Sequence, residues 1–118
     1  MIVLDNLNES IVANSGSASD PAVTCVATYY IESLNGLASA NQYSEITDTP
    51  SATLVPPPSE LSIRHIVKQI TIHNNDDASH DVTVMWTDSS QFARLIVKTL
   101  TAGQFMYYES GLGWSVSS

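Results

Sequence analysis

Between Ala22 and Ser33, apolar and polar side chains alternate with a period of two, and no other feature of the chain limits its fold so sharply. Val23, Cys25, Ala27, Tyr29 and Ile31 fall on one side of an extended backbone, opposite Thr24, Val26, Thr28 and Tyr30. Successive side chains of a strand point to opposite faces, so this spacing describes a strand with one face against a core.

Further runs follow the same logic. Ile63 to His73 is rich in β-branched residues and ends at Asn74-Asn75-Asp76-Asp77, a cluster that tolerates the positive φ of tight turns. His80 to Thr87 returns with Val82, Val84 and Trp86 on one face. That face is expected to meet Ile66, Ile70 and Ile72 in an antiparallel hairpin, with Lys68 at a rim. Asp88-Ser89-Ser90 makes the next turn. Phe92 to Leu100 reads as a mixed strand, with Leu95 and Val97 opposite Ile96 and Lys98. After Gly103, Gln104 to Glu109 carries aromatic residues on both faces, and Gly111-Leu112-Gly113 leads into Trp114-Ser115-Val116.

Pro56-Pro57-Pro58 fixes φ and removes three amide donors, so Ala52 to Val55 is a short strand that cannot lie at the centre of a sheet. Leu34 to Asp48 stays open between a loop and one helical turn, with Tyr43 to Thr47 able to pair at an edge. The sum is an all-β chain: an antiparallel β-sandwich, jelly-roll-like, of about eight or nine short strands. Residues 21–118 form this sandwich. Residues 1–20 hold two short apolar runs, Ile2-Val3-Leu4 and Ile11-Val12-Ala13, among Asn, Ser and Gly, and are expected to form an extended N-terminal arm.

Charge narrows the partners. Twelve acids against four bases give a net charge of −8, which disfavours nucleic acid and anionic membranes because both select clustered Lys and Arg. The start of the chain lacks the basic stretch and uninterrupted apolar run of a signal peptide, so the protein is expected to be made in the cytoplasm and to leave it only as part of a larger particle. Cys25 is alone, which excludes an intrachain disulfide framework.

The best place to look for chemistry is the turn with His73, Asn74, Asp76, Asp77, His80 and Asp81. It lacks the alternating oxygen ligands, bend glycine and distal Glu of a helix-flanked calcium loop, and two histidines flanking a turn want a third ligand to hold zinc. No metal and no cofactor is expected. No nucleophile elbow is present, Cys25 sits mid-strand and Asp76-Asp77 are adjacent in a loop, so no catalytic set is expected either.

The paired aromatics Tyr29-Tyr30 and Tyr107-Tyr108 must each send one ring to either face of a sheet. An outward Tyr suits a subunit contact, whereas Trp86 and Trp114 are expected in the core. The candidate interface residues are therefore Ile2, Val3 and Leu4 of the arm together with Tyr30, Tyr107 and Tyr108.

Three runs carry a resemblance: Ile70-Thr-Ile-His-Asn-Asn-Asp-Asp-Ala-Ser-His-Asp-Val-Thr-Val, Leu95-Ile-Val-Lys-Thr-Leu-Thr-Ala-Gly-Gln and Tyr107-Tyr-Glu-Ser-Gly-Leu-Gly-Trp-Ser-Val. With Val23-Thr-Cys-Val-Ala-Thr-Tyr-Tyr and the Pro-rich segment before Arg64, they resemble small virion proteins of tailed bacteriophages. The resemblance implies a non-enzymatic structural component of the virion. The expected role is a capsid decoration or cement protein that forms a homo-oligomer, a trimer, and binds the major capsid protein. A collar, neck or tail-fibre component and a carbohydrate-binding adhesin module are the alternatives.

Overall fold

A computed structural model describes residues 1–16, 19, 21–47 and 51–117. Ten strands make up its regular structure: β1 (Ile2–Leu4), β2 (Ser10–Asn14), β3 (Val23–Ser33), β4 (Gly36–Ile46), β5 (Ser51–Val55), β6 (Arg64–Asn74), β7 (His80–Thr87), β8 (Phe92–Leu100), β9 (Phe105–Glu109) and β10 (Gly113–Ser117). They form two antiparallel sheets packed as a β-sandwich. One sheet is six-stranded, in the order β10-β9-β6-β3-β4 with β1 also paired to β6; the other is four-stranded, in the order β5-β2-β7-β8.

Alternation places the core as expected. Val23, Cys25, Ala27 and Tyr29 of β3 are buried together with Ile70, Ile72, Val82, Val84 and Leu100. Burying these side chains, each contributing about 1.5–3 kcal/mol for a Val, Leu or Ile, drives the two sheets together. Trp86 and Trp114 sit at the margin, half-buried against this core, and Trp86 Nε1 donates to Glu9 Oε2 at 3.0 Å. The Pro-rich segment behaves as its chemistry requires, since β5 is an edge strand and ends at Val55, immediately before Pro56.

The expected N-terminal arm is instead part of both sheets. β1 pairs with the Val67–His65 end of β6, and β2 lies between β5 and β7 in the middle of the four-stranded sheet. Leu4, Ile11 and Ala13 are fully buried. The two apolar runs are short because each supplies only the inward residues of a short strand, and the Asn and Ser around them make turns. Residues 17, 18 and 20 of the expected arm lie outside the described residues.

A second correction concerns the hairpin expected between β6 and β7. The two strands belong to different sheets, so the chain crosses the sandwich at Asn75 to Ser79. Asn74 directs the crossing. Its buried side-chain nitrogen lies 2.9 Å from the carbonyl oxygens of Ala78 and Leu100 and 3.2 Å from that of Thr101, while its Oδ1 accepts the Asp76 amide at 3.0 Å. Its own backbone bonds to Gln104 and Gly103. One buried amide therefore ties the β6–β7 crossing to the β8–β9 crossing.

Lys68 is accommodated by a β-bulge. The β3–β6 register shifts between Thr28 and Tyr29, so that Thr28 opposes Gln69 while Tyr29 opposes Val67. The extra residue reverses which β6 side chains face inward: Ile70, Ile72 and Asn74 before the shift, Val67 and His65 after it. Ile66, expected among the inward residues, consequently lies on the outer side. Leu34 to Asp48, ambiguous in sequence, is mostly the long strand β4, paired with β3 along its full length.

Candidate interaction face

Directly opposed residues of neighbouring strands share a face, so register assigns every side chain of the six-stranded sheet to the core or to its outer surface. One outer row runs Ser115, Tyr107, Thr71, Val26, Tyr43; the next runs Ser117, Phe105, His73, Thr24, Glu45. Beyond the bulge lies a third row of Val3, Ile66, Tyr30 and Ser39.

The rings on this surface are organised. His73 stacks on Phe105 with centroids 4.0 Å apart and planes 10° from parallel, and Phe105 stacks on Tyr107 at 5.9 Å and 14°. Lys68 Nζ lies 5.6 Å from the Tyr30 centroid, within reach of a cation–π attraction. Tyr43 is 59% exposed and Val26 43% exposed. The Tyr43 hydroxyl donates to Glu45 at 2.6 Å, a bond that raises the phenol above its ordinary pKa. Beside Tyr107, the side of the β9–β10 hairpin forms a cleft of about 360 Å³ lined by Gln69, Tyr107, Glu109, Leu112, Trp114 and Ser115, among others.

This geometry divides the six interface candidates. Val3, Tyr30 and Tyr107 are on the outer face. Ile2, Leu4 and Tyr108 are not: Ile2 opposes Val67 and packs against the core, Leu4 is fully buried opposite His65, and Tyr108 is 5% exposed, opposite Ile70. Tyr108 instead packs a tilted ring against Trp114, centroids 5.1 Å apart. The choice within each Tyr pair depends on strand phase. Phe105, two residues before Tyr107, carried a usable signal in the sequence. Val26, Tyr43 and His73 did not, because their neighbours come from other strands.

The candidate ligands of the turn are separated. His73 lies outside, on Phe105. His80 Nε2 is 2.7 Å from Asp76 Oδ2 in a buried pair, and Asp81 accepts a hydrogen bond from Thr99. The bond from His80 holds the Asp76 carboxyl at a pKa of about 2, against an ordinary 3.8, and the Asp77 amide adds to the effect. No group of three or more His, Cys, Asp or Glu close enough to share an ion occurs among the described residues. His65 is engaged with the Pro56 carbonyl at 2.9 Å and with the Tyr29 ring. Burial pushes the Cys25 thiol up to about 12, which keeps it from acting as a thiolate nucleophile.

Comparison with protein-family models, with curated proteins and with solved structures found no match for this chain.

Proposed function

We propose that the protein is a non-enzymatic structural component of a tailed-bacteriophage virion, acting as a decoration or cement protein that self-associates and binds the major capsid protein. The observation that carries the surface-binding part is the outer face of the six-stranded sheet, where the stacked rings of His73, Phe105 and Tyr107 share one surface with Val26 and Tyr43. Aromatic residues on a rigid sheet offer contact area with little side-chain entropy to lose, which suits repeated docking on a protein lattice. The particle assignment is supported by the resemblance of the hairpin and C-terminal runs alone.

The test is the copy number of the protein in purified particles, by quantitative mass spectrometry. Hundreds of copies fit decoration. A handful fit the collar, neck or tail-fibre alternative, and complete absence refutes a virion role.

The cleft beside Tyr107 favours one reading of another kind, a carbohydrate-binding module, because it combines an aromatic ring with the carboxylate of Glu109 and the amide of Gln69. Glycan-array binding that disappears in Tyr107→Ala would select that reading over the first.

A further inference from the structure

Among the described residues, strand β4 has a hydrogen-bonded neighbour on one side only, which leaves a long sheet edge. It runs 11 residues, Gly36–Ile46, and opposes β3 in unbroken register with no bulge. Its other side ends the six-stranded sheet, so alternate backbone N–H and C=O groups on that side pair with no strand among the described residues, although β5 of the other sheet lies close by. Soluble proteins guard such an edge with Lys, Pro, a bulge or a charge pointing inward. β4 has none of these. Its only charge is Glu45, near one end, and its middle is Ala38, Ser39, Ala40 and Asn41, small residues that let another backbone come close.

We infer that β4 pairs antiparallel with β4 of a second copy about a twofold axis at Ala40, joining two six-stranded sheets into one continuous sheet. Self-complementarity picks out both the occupant and the register. Leu37 and Tyr43, each 59% exposed, share the outer face of the strand and lie symmetrically about Ala40. In this register each Leu37 opposes the other copy's Tyr43, an apolar–aromatic cross-strand pair repeated twice. Ser39 opposes Asn41, two polar side chains able to bond. Glu45 falls opposite Asn35, so the like charges of the two copies stay apart. A twofold axis at Asn41 instead sets Leu37 against Glu45 and loses both apolar pairs. The arrangement is isologous and closed, so it ends at a dimer. It puts a twofold in place of the trimer expected from the resemblance.

The inference deepens the self-association in the proposed function but is tested apart from it, since a dimer in solution stands even if particles carry none of the protein. A ladder of this length buries less than the roughly 1,200 Å² of a standard interface, so the dimer should depend on concentration, and it should strengthen with salt as two chains of net charge −8 are screened.

Sedimentation of the full chain should move from 12.7 kDa toward twice that mass as concentration rises. A mass that stays monomeric up to about 500 µM, or that settles at three copies, overturns the inference. Tyr43→Lys should return the protein to monomer with its circular dichroism unchanged; should that variant misfold, Leu37→Lys at the other half of the pair makes the same test. A folded variant that still dimerises like the wild type overturns it. Cysteine placement reads the register directly. Cys25 is buried, which leaves an introduced thiol as the reactive one. Ala40→Cys should form a disulfide dimer on mild oxidation at least tenfold faster than Glu45→Cys, whose two copies lie about 30 Å apart in this register. Equal rates for the two variants overturn it.

Discussion

Two long strands end the sheets of this protein, and they are built in opposite ways. β8 closes the four-stranded sheet with nine residues and β4 closes the six-stranded sheet with eleven. β8 carries Phe92 and Val97, 65% and 52% exposed, so it is no less apolar than β4. It is guarded nonetheless. Its register with β7 breaks between Val84 and Met85, which leaves Leu95 as a bulge, and it bears Arg94 and Lys98. Lys98 opposes the buried Val82, so it is a charge in an inward-facing phase, and neither cation makes an ion pair among the described residues. β4 has a straight register and no base. Exposed backbone alone therefore does not make a docking edge; the irregularity and charge placed on it decide whether another strand can approach.

The largest change expected from breaking this contrast comes from the frame that holds both edges. Removing residues 1–14 takes β1 from one sheet and the central β2 from the other, and the product should show no cooperative thermal transition. A truncated chain that melts sharply would restore the projecting arm expected from sequence. Next in size is Asn74→Ala, which strips the buried partners from both crossings. An unsatisfied buried group costs about 1–3 kcal/mol, so a loss of about 3 kcal/mol is expected in urea unfolding.

Acid should act more gently, through the pair of Asp76 and His80. The Asp76 pKa is depressed on folding, so its contribution is complete above the unfolded value near 3.8 and is lost as pH falls through about 2. The melting difference between wild type and Asp76→Asn should hold steady above that window and narrow within it. A difference that stays constant down to pH about 2 would show that the pair does not act through ionisation. The smallest effect on stability, within about 0.5 kcal/mol, belongs to Arg94→Ser combined with Lys98→Ser. This variant sharpens the comparison most: it should keep its melting temperature yet associate more strongly, because the second edge has lost its charges. Unchanged association would mean that the Leu95 bulge alone protects β8.

Much of this architecture was legible in the chain. The faces of β3, the end of β6 at Asn74, the edge position of β5 and the two-sheet class all follow from alternation, turn chemistry and proline. Strand β4 was legible only at its end, where Tyr43 to Thr47 was expected to pair at an edge; its first part, Leu-Ala-Ser-Ala-Asn-Gln, buries little and so shows no apolar period. Of the interaction face, Val3, Tyr30 and Tyr107 could be named in advance, but their assembly with Val26, Tyr43 and His73 required the register of five strands.

The sequence by itself determined that β3, β6, β7 and β8 are strands and which side chains of β3 turn inward, since both depend on a period of two that a segment carries alone. Only the tertiary structure decided which strands are neighbours. β6 and β7 are joined by five residues yet lie in different sheets, and β2 reaches the centre of a sheet far from its flanking segments. The reason is physical: sheet membership is set by hydrogen bonds between distant strands and by buried groups such as the Asn74 amide, which meet their partners only when the whole chain has closed.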